Sequence, residues 1–193
     1  MPDIEVSICV PTCDIVGPML QDFVRSVNRT LSDDGVGREI IVVENSCPRQ
    51  GVTDPINAAL RAARGRYIVV SNDDVTPLHG WWPPFRAALD QGAAVARSYT
   101  VDPGKFGWWF FAMRRELVDH LSSEPGEFWD RRFKLWYSDT DFQRRLSDAG
   151  LQVVDVAESK IRHVESASHS LADQSVANQI AEDARRYGEK WSS

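Results

Sequence analysis

Strand and helix patterns alternate through the first part of the chain, and this order most constrains the fold. Three short apolar runs carry the strand pattern, at residues 6–10, 40–43 and 67–70. Between them, apolar residues recur at helical spacing over 18–31, and Asp54-Pro55 opens a second helix that Gly65 stops. Continuous apolar strands are typical of a parallel sheet covered on both faces. The order therefore predicts an α/β fold with a Rossmann-like, mostly parallel sheet and right-handed crossovers, flanked by helices.

Polar residues end all three runs. Thr12 follows the first, Glu44 the second, and Asn72-Asp73-Asp74 the third. Because the carboxyl ends of parallel strands meet at one edge, where open α/β folds bind ligands, Thr12, Glu44 and Asp74 are expected to line one crevice. Adjacent carboxylates attract hard divalent cations, which often use one or two protein carboxylates together with substrate phosphates. An Asx turn that closes a strand is the simpler interpretation of the same residues.

The second half of the chain has a less regular pattern. We predict helices over 78–91, 114–121, 138–149 and 173–191, and strands over 93–101, 108–113, 152–156 and 161–164. The prolines Pro83 and Pro84 are expected to interrupt the first of these helices, and Ser138 to cap the third. No repeat, low-complexity linker or charge block divides the chain, so a single domain over 1–193 is predicted.

Composition excludes several classes of protein. A net charge of −6 and a pI near 5.2 argue against a dedicated nucleic-acid surface, which leaves a basic footprint. No basic start with an apolar core opens the chain and no apolar run approaches about 20 residues, so neither secretion nor a membrane span is predicted. The three cysteines, Cys9, Cys13 and Cys47, are too few for a disulfide framework. We expect a cytoplasmic protein, with peripheral attachment to a membrane left open.

The strand ends belong to a series of motifs that continues beyond the sheet. These are Val10-Pro11-Thr12, Val43-Glu44-Asn45-Ser46, Asn57 with Gly65-Arg66-Tyr67-Ile68, Asn72-Asp73-Asp74-Val75, Glu127-Phe128-Trp129-Asp130, and Tyr137-Ser138-Asp139-Thr140-Asp141-Phe142 with Arg145 and Gly150. Their order and spacing resemble those of family-2 glycosyltransferases with the GT-A fold, over about residues 5–165. The resemblance implies a nucleotide-sugar half at about 1–100, an acceptor half at about 101–170 and a C-terminal helix at about 173–191.

The resemblance also implies an activity and a site. The activity is metal-dependent, inverting transfer of a sugar from a UDP-, GDP- or dTDP-sugar to a hydroxyl of a glycan, a lipid-linked sugar, a protein or a modified nucleobase. Asp139 corresponds to the general base, and Asp74 and His163 to the ligands of Mn²⁺ or Mg²⁺. The implied donor-binding residues are Pro11, Thr12, Asp14, Glu44, Asn57, Arg66, Asn72 and Asp73. Trp108 and Trp109 are the implied acceptor contacts, since aromatic faces stack on sugars.

Three departures from the family pattern keep alternatives open. Asn72 and Glu44 stand where relatives more often have Asp, and Ser138 stands where they usually have Glu. A non-catalytic sugar-nucleotide-binding module is one alternative. A nucleotidyltransferase of related fold is another, although residues 13–17 lack its Gly-rich basic loop, and a phosphatase with an Asp nucleophile would carry that residue after the first strand. Asp139 also has a simpler interpretation, because an acidic residue in a first helical turn is stabilised by the helix dipole.

Overall fold

The computed structural model describes residues 3–45, 51–122, 127–164 and 174–192. Two residues of the sequence motifs and cysteine set, Ser46 and Cys47, lie outside these ranges. The described strands are β1 Val6–Thr12, β2 Arg38–Glu44, β3 Tyr67–Ser71, β4 Val75–Pro77, β5 Val95–Thr100, β6 Lys105–Arg114 and β7 Val153–His163. The helices are α1 Pro18–Asp33, α2 Thr53–Ala62, α3 Trp82–Asp90, α4 Arg115–Leu121, α5 Ser138–Asp148 and α6 Gln174–Trp191.

All seven described strands form one sheet, in the order β2-β1-β3-β6-β5-β7-β4. The pairs β1–β2, β1–β3 and β5–β7 are parallel, whereas β6 runs antiparallel to β3 and β5, and β4 antiparallel to β7. Five strands therefore share one direction, and the predicted mostly parallel α/β fold is confirmed.

Helices cover both faces of the sheet, and each face has its own apolar core. One core combines α1 and α3 with residues such as Phe23, Trp81 and Phe85. The other combines α2, α4 and α5 with residues such as Leu60 and Phe142. Successive strand residues point to opposite faces, which explains why the strands read as continuous apolar runs.

Three elements differ from the sequence prediction. Helix α3 begins at Trp82, because its prolines occupy the first helical turn, where a missing N–H costs nothing, and do not interrupt the helix. The two strands predicted near 152–156 and 161–164 are one long strand, β7, with a bulge where the pairing shifts from Ser98↔Val156 to Tyr99↔Lys160. Strand β4 is too short to give a pattern and exists through its pairing with β7. Among the described residues, no helix is both long and apolar enough to cross a membrane.

Candidate active site at the carboxyl edge of the sheet

A crevice opens where β1, β2 and β3 end. It is lined by Pro11, Thr12, Cys13, Asn45, Gly51, Val52, Asn72, Asp73, Asp74 and Leu135. The structure thus brings Thr12 and Asp74 to one edge, as the strand order predicts. Glu44 is exposed at the end of β2 and lines an adjoining cavity with Asn45 and Asp54.

Asp74 and His163 lie side by side next to this crevice. Strand β4 starts directly after Asp74 and pairs Val75 with His163, and the N–H of Val164 donates to the carbonyl of Asp74 at 3.1 Å. His163 Nε2 is 3.2 Å from Asp74 Oδ1, and the two side chains are only 8% and 7% exposed. The indole of Trp109 stacks on the imidazole, with ring centroids 4.8 Å apart. Strand pairing therefore joins residues that are far apart in sequence.

This pair fits a divalent cation whose coordination would be completed by oxygens of the substrate. His163 Nδ1 is buried without a hydrogen-bond partner among the described residues, and the one polar contact of Asp74 Oδ1 there is with His163 Nε2, without hydrogen-bond geometry. A buried carboxylate oxygen that lacks a well-formed hydrogen bond is costly unless something binds it. Within the described ranges no cluster of three or more His, Cys, Asp or Glu could hold an ion by itself. One carboxylate and one imidazole suit an ion such as Mn²⁺ or Mg²⁺ whose other ligands are phosphate and water.

Further negative charge lies beside the pair. Thr12 Oγ1 donates to Asp73 Oδ2 at 2.5 Å and accepts from the N–H of Asp14 at 3.1 Å. Burial raises the pKa of Asp73, and the charges of Asp74 and Asp14 raise it further, although the bond from Thr12 opposes them. The crevice thus concentrates carboxylates that repel one another, an arrangement that a bound cation would relieve.

Four predicted donor-binding residues do not line the crevice: Asp14 and Glu44 are exposed next to residues that do, whereas Asn57 and Arg66 have partners in other parts of the fold. Asn57 is buried in α2, where its amide donates to the carbonyl of Trp129 and accepts from its N–H, both at 2.8 Å. Arg66 precedes β3 and therefore lies at the opposite end of that strand from Asn72. Its guanidinium is exposed, 3.7 Å from Asp90 and over the ring of Tyr67. Asn57 joins two segments of the fold, and Arg66 belongs to the opposite edge of the sheet.

The two neighbouring tryptophans of β6 face opposite sides of the sheet. Trp108 packs against Phe111 and Phe142, with Arg97 over its ring. Trp109 points to the other side, where it contacts His163 and donates to Thr100 Oγ1 at 2.8 Å. Its carbonyl also accepts the N–H of Asn72 at 2.9 Å. Of the two, Trp109 is the one that lies near the acidic crevice.

Asp139 occupies the first turn of α5. The helix follows Tyr137, whose left-handed backbone, with φ of 65°, turns the chain into the helix. Asp139 is partly exposed, and its Oδ1 accepts the N–H of Thr140 at 2.7 Å. It is not among the residues that line the crevice, although Leu135, four positions earlier, is. The role of Asp139 as the general base stays a prediction.

The carboxylates closest to Asp139 in sequence are engaged in ion pairs. Asp141 is fully buried and lies 2.9 Å from Arg145 Nε and 2.6 Å from Lys190 Nζ. Asp130 pairs with Arg132 and with Lys190 at 2.6 and 2.8 Å. Asp139, in contrast, has no ion pair with any described residue, so it is the carboxylate in this block that is available to a ligand.

Asp183 of α6 is a buried carboxylate that none of the sequence motifs indicates. It is fully buried and accepts backbone N–H groups from Lys134, Leu135 and Trp136, at distances down to 2.8 Å. These three amides belong to residues 133–137, which precede α5 and are called the 133–137 segment. One signal could have revealed this contact: Asp183 stands where the apolar stripe of α6 requires a core residue. That stripe is Val176, Ile180, Asp183, Tyr187 and Trp191.

The 133–137 segment also forms part of the crevice wall, directly beside Gly51 and Val52. The N–H of Val52 donates to the carbonyl of Lys134 at 2.7 Å. At Gly51, φ is +83° and an added Cβ would lie 2.3 Å from the same carbonyl oxygen, so glycine is required. α6 thus fixes a segment that borders the crevice.

Solved structures of low sequence identity share the fold of this chain. The catalytic domain of Drosophila β1,4-galactosyltransferase 7 with xylobiose is 20% identical, with a TM-score of 0.67 over 88% of this chain and 74% of that one. A mutant of the same enzyme, with manganese, UDP-Gal and xylobiose, is 18% identical, with a TM-score of 0.65 over 89% of this chain and 78% of that one. The mannosyltransferase PcManGT from Pyrobaculum calidifontis, with GDP-Man and Mn²⁺, is 13% identical, with a TM-score of 0.65 over 98% of this chain and 66% of that one. These similarities show the GT-A fold.

The family follows from the sequence match. The model of glycosyl transferase family 2 matches residues 37–150, more than half of the 193 residues. The chain therefore belongs to glycosyl transferase family 2, and it is a glycosyltransferase. The matched region contains Asn72-Asp73-Asp74 and Asp139, whereas His163 and α6 lie beyond it. No curated protein matches the sequence. Family membership favours sugar transfer over the nucleotidyltransferase and binding-module alternatives.

Proposed function

We propose that this protein transfers a sugar from a nucleoside-diphosphate sugar to an acceptor hydroxyl with inversion at the anomeric carbon. The observation that carries the proposal is the buried pair of Asp74 and His163 beside the crevice, with Asp74 Oδ1 3.2 Å from His163 Nε2 and with no hydrogen bond from a described residue to Asp74 Oδ1 or His163 Nδ1. In this proposal the pair holds Mn²⁺ or Mg²⁺. When bound, the cation would neutralise the diphosphate leaving group as a Lewis acid.

The donor side of the proposed site consists of the residues around the ends of β1 to β3. Pro11, Thr12 and Asn72 line the crevice, and Asp14 and Glu44 stand at its exposed margin. Thr12 positions Asp73 by a direct hydrogen bond, which orients that carboxylate before a ligand arrives. We leave Asn57 and Arg66 out of the proposed donor site, because the Asn57 amide bonds the backbone of Trp129 and the Arg66 guanidinium lies 3.7 Å from Asp90. Solved GT-A structures that hold UDP-Gal or GDP-Man with manganese support this class of donor.

The proposed base is Asp139, which would take the proton of the acceptor hydroxyl. A single base suffices for inversion, because the acceptor attacks the sugar opposite the leaving group and no covalent intermediate forms. The N-terminus of α5 stabilises negative charge at this position. Its neighbours Asp130 and Asp141 are held in ion pairs and are poorly suited to accept a proton.

The decisive experiment separates donor binding from transfer. Thermal-shift screening against UDP-, GDP- and dTDP-sugars with Mn²⁺ identifies the donor, because a ligand that binds the folded state stabilises it. Asp139→Asn is then compared with Asp148→Asn, an exposed carboxylate in the last turn of the same helix. We expect Asp139→Asn to retain calorimetric affinity for the nucleotide and to lose turnover by about 10²- to 10⁴-fold. Near-normal turnover in Asp139→Asn would remove it as the base.

A further inference from the structure

Trp136 differs from every other tryptophan of the chain. The protein has seven, and all lie in described ranges. Six of the rings contact another aromatic ring, as Trp109 contacts His163 and Trp191 contacts Tyr187. The indole of Trp136 has no aromatic, cation–π or hydrogen-bond contact with a described residue, and the residue is 50% exposed. Aromatic stacking and hydrogen bonds with described residues therefore do not account for the exposed half of this side chain.

The backbone of Trp136 is nevertheless firmly held. Its N–H donates to Asp183 Oδ2 at 3.0 Å, next to the N–H groups of Leu135 at 2.8 Å and Lys134 at 3.1 Å. Three consecutive amides on one fully buried carboxylate fix the 133–137 segment against α6. An exposed aromatic ring on a fixed backbone is prepared to bind, since little of its main-chain freedom has to be lost.

The position of Trp136 along the chain points to the acceptor side. Leu135, directly before it, lines the acidic crevice, and Asp139 follows three residues later. An acceptor whose hydroxyl reaches Asp139 while the donor fills the crevice would therefore pass close to this ring. The tryptophans expected to contact the acceptor, Trp108 and Trp109, are already packed against Phe142 and His163.

We propose that Trp136 is a stacking platform for a pyranose ring of the acceptor and that Asp183 is the positioning residue that fixes it. The inference rests on the proposed function, because it needs an acceptor bound beside the donor crevice. The apolar C–H face of a pyranose fits the flat face of an indole, and its hydroxyls stay in water around the exposed edge. The acceptor is accordingly a saccharide or carries one next to the reacting hydroxyl.

Nuclear magnetic resonance of the seven indole N–H groups tests the platform directly. Trp136→Phe identifies the signal of Trp136 by its loss. Methyl glycosides of glucose, galactose and mannose are then titrated into the protein saturated with Mn²⁺ and UDP or GDP. We expect a saturable shift that is largest at Trp136. Affinity should fall about 3- to 10-fold in Trp136→Ala and less in Trp136→Phe, which keeps an aromatic face. Val16→Ala, which shortens an exposed aliphatic side chain, should leave it unchanged.

Asp183→Asn tests the positioning role with the same readout. We expect glycoside affinity to fall more than nucleotide affinity, because Asp183 holds the N–H of Trp136 directly, whereas within the 133–137 segment only Leu135 lines the crevice. Unaltered glycoside affinity in the folded variant would make Asp183 merely structural.

The outcomes separate this inference from the function on which it rests. A Trp136 signal that fails to respond to the glycosides, or shifts no more than the other six, overturns the platform. If nucleotide with Mn²⁺ still binds in that case, the proposed donor site stands. Absence of nucleotide binding in the parent protein refutes the donor site instead.

Discussion

The contact between Asp183 and the 133–137 segment gives the sharpest prediction about stability. Asp183→Asn keeps the size of the side chain, so no cavity forms, but it turns one acceptor oxygen into an N–H donor. With the remaining oxygen turned towards the N–H groups of Lys134, Leu135 and Trp136, that donor faces the Gln179 amide and the N–H of Lys134, which both donate to Asp183 Oδ1. The charge is lost, and the new N–H group has no acceptor until Gln179 turns its amide.

The size of the effect follows from these contacts. A hydrogen bond to a charged group contributes about 1.5–3 kcal/mol, and an unsatisfied buried donor costs about 1–3 kcal/mol. The bonds are partly buried, so water can replace some of the loss, and we expect the free energy of unfolding to fall by about 2–4 kcal/mol. For a chain of this length that corresponds to a lower Tm by roughly 5–15 °C.

Thermal unfolding and urea titration measure this loss. The matched control is Glu182→Gln, the preceding residue on α6, whose carboxylate pairs with Arg185 and Arg186 at the protein surface. Surface ion pairs contribute little, so the control should unfold like the parent. A parent-like Tm and urea midpoint in Asp183→Asn would show that the carboxylate does not hold the segment.

Three further predictions concern the crevice and the acceptor side. Asp74→Ala should abolish Mn²⁺-dependent nucleotide binding in a folded protein, as chelation with EDTA should in the parent; retained calorimetric affinity would contradict the ligand assignment. His163→Ala should weaken the same affinity less, and an unchanged metal requirement would make His163 structural. Burial alone would raise the pKa of Asp130, but hydrogen bonds from Arg132 and Lys190 outweigh it and lower the pKa well below its ordinary value. A depressed pKa means that the stabilisation is present at neutral pH and is lost in acid, so the stability gap between the parent and Asp130→Asn should shrink below about pH 4; a gap that stays constant down to pH 3 would refute this.

The sequence predicts well what depends on neighbouring residues. Periodicity gives β1, α1, β2, α2 and β3, and the direction of the strands then places Thr12 and Asp74 at one edge. The same rule separates Arg66 from Asn72, since one precedes and the other follows β3. Two residues at opposite ends of one strand cannot both lie at the carboxyl edge of the sheet. Alternation within β6 likewise requires Trp108 and Trp109 to face opposite sides.

Contacts between residues that are far apart in sequence cannot be predicted from local patterns. The pairing of β4 with β7 brings His163 to Asp74, and only the family resemblance points to it in the sequence. Asn57 carries an amide, a side chain common in ligand-binding sites, but its partner is the backbone of Trp129. Asp183 appears as one more charge on a polar helix until the 133–137 segment is seen against it.

The position of α6 in the chain has a consequence for folding during synthesis. A ribosome makes the three parallel strands and the acidic residues that end them long before it reaches residues 174–191, so the crevice edge can form early. Asp130, Asp141 and the amides of the 133–137 segment must wait for Lys190 and Asp183. Until then, Asp141 is a carboxylate without its full set of partners, in a place that later excludes water. The nascent chain is therefore expected to gain protease resistance in two stages, with the acceptor side protected only after α6 has emerged.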